Sequence, residues 1–119
     1  MPSDVPIERL TDIITNIDRI RAHLKDVNSA TEFDEKTRDA VERCLERISE
    51  AAKKLGSAIE QAQPNIPWRN IRGLGNVLRH EYDSVDDVAI KHIIEQELGP
   101  LRQACVDELA ILRGSDPKR

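Results

Sequence analysis

Residues 67–83 read PWRNIRGLGNVLRHEYD, and the rest of the chain can be built outward from them. Pro67 has a backbone angle suited to a first helical turn, so a short helix is predicted from Trp68 to about Arg79. Gly73 and Gly75 weaken that helix and allow another backbone to come close. Tyr82, Asp83 and Ser84 follow as a connector, with Ser84 placed to cap the next helix. The same stretch carries Arg69, Arg72, Arg79 and His80. From Asn65 to His80 there is no Asp or Glu, although the chain as a whole has a net charge of -4. A local cationic face in an acidic protein can hold an anion, and a histidine within it can move a proton near neutral pH.

Upstream, Ile7, Leu10, Ile13, Ile14, Ile17, Ile20 and Leu24 recur at steps of three and four. That period is helical, and the helix should begin near Pro6 with Ser3 or Asp4 as its cap. After a polar break from Asp26 to Asp34, a second stripe of Val41, Cys44, Leu45, Ile48, Ala52, Leu55 and Ile59 predicts one long helix from about Glu35 to Ala62. Pro64 and Pro67 end it. Downstream, Val88, Ile90, Ile93, Ile94 and Leu98 give a fourth helix starting near Val85, which Gly99-Pro100 interrupts. A fifth carries Leu101, Cys105, Leu109 and Leu112 toward the core. Residues 1–113 read as a single domain and 114–119 as a frayed tail. The fold class is all-α, an antiparallel bundle of four to five helices. The long stripes on the first two helices leave apolar surface for a second copy, which predicts a homodimer.

Composition narrows the function classes. Aromatics are 3% of the 119 residues, so the core must be aliphatic. The acidic balance excludes a general nucleic-acid coat protein but not a local phosphate site. Cys44 and Cys105 each sit in an apolar stripe and read as small core residues. No CxxC or Cys/His cluster is present, so neither a structural metal nor a cofactor is expected. Apolar runs fall far short of the roughly 18 residues a membrane span needs. No basic leader opens the chain, so it reads as a cytoplasmic protein. Trp68 reads as a core anchor, and His23 and His92 as parts of ordinary amphipathic helices.

The string NIPWRNIRGLGNVLRHEYDSVD, residues 65–86, resembles the HepT-like branch of the HEPN superfamily. EAAKKLG at 50–56 and ELGPLR at 97–102 extend the likeness over nearly the whole chain. The resemblance implies a HEPN-type helical bundle, a homodimer, and a toxin encoded beside a minimal nucleotidyltransferase antitoxin. The family signature is an Arg, four to six residues, then His-x-Tyr. His80-Glu81-Tyr82 matches the second half. Asn76 matches the polar residue that commonly follows the family's Arg. That alignment puts Gly75 in the Arg place. Arg72 lies one residue outside the permitted window, and Arg79 adjoins His80. The resemblance further implies that Tyr82 is the hydroxyl onto which the partner nucleotidyltransferase transfers AMP.

The chemistry such a motif serves needs no metal. RNA can be cleaved by its own ribose 2′-OH if a base takes the proton and a cation stabilises the crowded phosphorane. His80 suits the first role. Arg72 or Arg79 suits the second through the guanidinium fork, and Arg69 suits RNA phosphate binding alongside them. Asn76 and His80 are four residues apart and share a helix face. Three readings remain open on the sequence. The protein is a metal-independent RNA endonuclease, a HEPN module that binds its nucleotidyltransferase or nucleotides without cutting RNA, or a helical dimerisation scaffold.

Overall fold

The computed structural model of the protein describes residues 4–25, 34–80 and 87–114. These form six helical segments: α1 (Asp4–Leu24), α2 (Glu35–Leu55), α3 (Ser57–Ala62), α4 (Trp68–His80), α5 (Asp87–Gln96) and α6 (Leu98–Leu112). No strand occurs among the described residues. α1 packs along α2 and α6, α4 packs on the other side of α2, and α5 packs on α6. The architecture is the all-α bundle that the periodicity predicts.

Each helix forms because its apolar residues repeat at the helical period and find partners. Leu10, Ile13, Ile17 and Ile20 of α1 are fully buried against Val41, Leu45 and Ile48 of α2. Full burial of one such side chain stabilises by about 1.5–3 kcal/mol, so this aliphatic seam dominates the fold. Asp34 caps α2, its carboxylate accepting the Thr37 N–H at 2.7 Å. Cys44 and Cys105 are buried free thiols, and burial pushes Cys105 up to about 12. Both are the core residues that the stripes predict. Among the described residues no helix is long and apolar enough to cross a membrane.

Three boundaries differ from the sequence reading. The long second helix is broken at Gly56, which takes a φ of 69° and closes α2 through its N–H to the Lys53 carbonyl. A residue with a Cβ rarely adopts that angle, so Gly56 is a hinge between α2 and α3. The break before α6 falls at Glu97, and Gly99-Pro100 sits within the first turn of α6, where a missing N–H costs nothing. Asp4 lies inside α1 instead of capping it.

Trp68 is the anchor that residues 65–68 require. Its ring is 2% exposed, and its indole N–H donates to the Gln63 carbonyl at 2.9 Å. The Gln63 side-chain amide donates in turn to the Glu108 carboxylate on α6 at 2.8 Å. The loop that launches α4 is thereby tied to the far wall of the bundle.

α1 and α6 are also joined at the surface, where Arg102 donates two hydrogen bonds to Asp18 at 2.9 and 3.0 Å. Those bonds hold the Asp18 carboxyl below its ordinary value of 3.8. A carboxyl depressed in the folded state stabilises above its unfolded pKa and loses that contribution as pH falls through the folded value. The stability gap between the parent and Asp18→Asn, read by urea melts, should be largest near neutral pH and close below about pH 4. Because the pair is exposed, the gap should be small even at its widest. A gap of constant size down to strongly acid pH would show that the fork contributes nothing.

Candidate functional site

α4 is set by one close approach. Gly75 is buried against α2, and its N–H donates to the Ser49 hydroxyl oxygen at 3.0 Å. The same hydroxyl donates to the Arg72 carbonyl at 2.8 Å. Ser49 is 1% exposed, so this is a buried hydroxyl with both a donor and an acceptor partner on one helix. A Cβ at residue 75 would stand 3.0 Å from the Ser49 oxygen and 3.2 Å from its Cβ. A side chain at 75 would therefore crowd Ser49, which would have to give by a few tenths of an ångström. Position 75, the place aligned with the family's Arg, faces α2 and not solvent.

The fixed helix turns Ile71, Leu78 and Trp68 inward and leaves Arg69, Gly73, Asn76, Val77 and Arg79 at the surface. Arg69, Gly73 and Asn76 share a strip that the helical register continues to the position of His80. From Arg69 to His80 the strip runs about 16 Å along the axis. His80 is the last described residue of α4. Tyr82 lies outside the described residues.

The three arginines do not stand alike. Arg72 pairs with Glu60 of α3, so the acid missing from residues 65–80 is supplied in space from another helix. One of its guanidinium nitrogens is buried without a partner. Arg79 is exposed, and its guanidinium lies 3.5 Å from where a Cβ of Gly75 would be. A helical side chain leans toward the helix N-terminus, which brings this cation back one turn beside Gly75. Among the described residues neither Arg69 nor Arg79 forms an ion pair. Ser49 and Glu60 are the participants that sequence reasoning missed. Ser49 falls inside the apolar stripe of α2 and Glu60 lies twelve residues before its partner, so neither carries a local signal.

The cavity beside α4 is small, about 140 Å³, and lies on the inner side of the helix between Leu45, Ile71, Leu74 and Ile93. It is an apolar packing gap. The outer strip is an open surface. Among the described residues most of the α1 and α2 stripes are buried within the protomer, while Ile7, Ile14, Leu24 and Leu55 are only partly buried. Among the described residues the large hydrophobics left exposed are Val77 on α4, Val88 on α5 and Leu112 on α6. His23 and His92 are exposed on α1 and α5. Among the described residues no three His, Cys, Asp or Glu side chains group as metal ligands.

An all-α bundle that presents a cationic helix carrying a histidine defines a class, and comparison with known proteins gives the family. The family model for ribonuclease HepT-like proteins matches residues 13–107, and the chain belongs to that family. "Putative RNase MJ1380" of Methanocaldococcus jannaschii is 28% identical over 95 residues, 79% of this chain and 87% of its own. "Putative RNase MJ0125" of the same organism is 32% identical over 95 residues, 79% of this chain and 82% of its own. "Probable ribonuclease HepT" of Thermococcus cleftensis is 33% identical over 69 residues, 58% of this chain and 63% of its own. No solved structure matches. Membership in this family supports a function of the RNase type.

The packing of Gly75 gives a direct prediction. Gly75→Ala should destabilise the protein by about 1–3 kcal/mol in urea melts, the usual cost of overfilling a close contact. Gly75→Arg should cost at least as much, and it should not restore a cation to the outer strip. A Gly75→Arg protein as stable as its parent would place residue 75 outside the α2–α4 contact.

Proposed function

We propose that this protein is the toxin of a HepT-like toxin–antitoxin pair, a metal-independent RNA endonuclease silenced by AMP transfer to Tyr82. The observation that carries the reading is the outer strip of α4 in a chain of this family. Arg69, Asn76 and the register position of His80 lie in line, and the Arg79 guanidinium folds back over Gly75.

In this mechanism the His80 imidazole takes the proton of a ribose 2′-OH. The freed oxygen attacks the adjacent phosphorus, and the bond from phosphorus to the 5′-oxygen breaks. The leaving oxygen takes up a proton, and a cyclic 2′,3′-phosphate remains on the upstream product. Arg79 stabilises the charge that accumulates on the phosphorane. Asn76 orients the phosphate, and Arg69 holds a neighbouring one. Arg72 is the weaker candidate for the cationic role because Glu60 already engages it. An open strip binds RNA poorly alone, and a second copy laid across Val77 and Gly73 would make it a cleft shared by two His80 residues. The proposed partners are therefore a second copy of this chain, RNA, and the cognate nucleotidyltransferase.

The burial of Gly75 and the pairing of Arg72 favour a second reading. In it the protein is a HEPN module that binds its nucleotidyltransferase or nucleotides and does not cut RNA. Substitution separates the two. RNA cleavage in EDTA should be lost in His80→Ala and should fall about 100-fold in Arg79→Ala, while Arg72→Ala keeps most of it. Light scattering on the same preparation should give the mass of a dimer. Cleavage that needs magnesium, or that survives His80→Ala, removes the nuclease mechanism. A monomer that cleaves removes the shared cleft.

The Tyr82 proposal has its own readout. With ATP and magnesium the cognate nucleotidyltransferase should add AMP, seen as mass steps of one AMP on the intact protein. Each diester-linked AMP adds about one negative charge beside a cationic strip, so RNA binding should weaken, most at low salt. Tyr82→Phe should abolish the steps. Steps that persist there, or that map to Ser84, assign the acceptor to another residue.

A further inference from the structure

The ion pair between Glu60 and Arg72 takes no part in the cleavage chemistry, yet the fold builds it with care. α3 leaves α2 at the Gly56 hinge, and Ile59, 5% exposed, pins it to the core. Beyond α3, Gln63 is tied both to Trp68 and to Glu108. Glu60 lies between those two fixed points. It is thereby set against the flank of α4, where it accepts from the Arg72 guanidinium.

Arg72 stands at the edge of the outer strip. It follows Arg69 by three residues and precedes Asn76 by four, so it neighbours both on the helix surface. It lies about 60° to one side of Arg69, the side on which Arg79 emerges nearly two turns later. A guanidinium at that place can swing to a phosphate held by the strip. In the structure it turns to Glu60 instead. The pair withdraws a cation from the strip and sets a carboxylate beside it.

The contact is also easy to displace. The Glu60 side chain is 40% exposed and that of Arg72 26%, and partly exposed pairs contribute little because water and salt screen them. Glu60 engages one nitrogen of the guanidinium, while Nη1 is buried with no hydrogen-bond partner among the described residues. A donor left so opposes the closed arrangement. Phosphate oxygens suit the guanidinium fork as well as a carboxylate does. A strand already held by Arg69 presents its next phosphate at high local concentration. Exchange of Glu60 for that phosphate frees both terminal nitrogens of Arg72 to find acceptors.

We infer that Glu60 is an autoinhibitory acid, which holds Arg72 off the outer strip until an RNA phosphate displaces it. The inference rests on the reading of α4 as an RNA surface but not on cleavage. It accounts for an acid on α3 facing a segment that carries none of its own.

Anisotropy titration of the full chain with a labelled, single-stranded 2′-O-methyl RNA tests it. That strand has no 2′-OH to attack and stays intact. Glu60→Gln should tighten binding about tenfold. Net release of one more counterion should steepen the slope of log K against log salt by about 0.7. The gain should vanish without Arg72, so that the double variant Glu60→Gln, Arg72→Gln binds no more tightly than Arg72→Gln alone. Glu60→Asp, whose carboxylate is one methylene shorter in reach, should give a smaller gain in the same direction. Circular dichroism checks that each variant is folded. RNA bound equally by the parent, Glu60→Gln and Glu60→Asp overturns the inference and leaves the RNA reading standing. So does a gain that persists in Arg72→Gln, which would mark Glu60 as a bystander charge. RNA bound by none of the proteins overturns both.

Discussion

The Ser49 hydroxyl, held between the Gly75 N–H and the Arg72 carbonyl, is the contact on which the arrangement of this protein depends. It fixes both the distance and the rotation of α4 on α2. Distance follows because the short serine side chain must bridge the two helices, and glycine at 75 leaves it uncrowded. Rotation follows because residues 72 and 75 are three apart and so lie on the same side of the helix. Once that side faces α2, Arg69, Asn76 and the position of His80 must face away from it. One buried serine thus decides which residues of α4 meet solvent.

The same constraint sorts the arginines. Arg72 leaves α4 near the α2 seam, where Glu60 can reach it across the Gly56 hinge. Without the hinge, α3 would continue the axis of α2, and the position of Glu60 would change. Arg79 leaves one turn beyond Gly75, and the space a side chain at 75 would fill is where its guanidinium lies. A cation therefore stands near the place the motif assigns to it, although it arises from the wrong residue. The local charge of α4 is lower than its sequence suggests, because Arg72, one of its three arginines, is neutralised from a distant segment.

The bundle was legible in the sequence because its core obeys one rule, apolar residues at steps of three and four. Ile13, Ile17, Ile20, Val41, Leu45 and Ile48 were each readable that way and are each buried. Boundaries that depend on a single backbone angle were not. Gly56 sits in an unbroken helical pattern, and only its positive φ reveals the hinge. Pro100 looked like a break because proline ends helices more often than it begins them. On the site, the strip of Arg69 and Asn76 was legible from spacing. The roles of Ser49 and Glu60 were not, because each acts on a residue at least twelve positions away, and no local pattern records such a pair.

Helical geometry also explains how α2 serves two neighbours at once. Arg47 and Ser49 are two residues apart on α2, which turns them about 200° from each other. Ser49 meets α4, and Arg47 lines a polar groove between α1 and α2. The helix that positions the outer strip therefore also separates it from the groove, with the aliphatic seam of Leu45, Ile48 and Ala52 between them. Coupling between the two would have to pass through the body of α2, which packs against both α1 and α4.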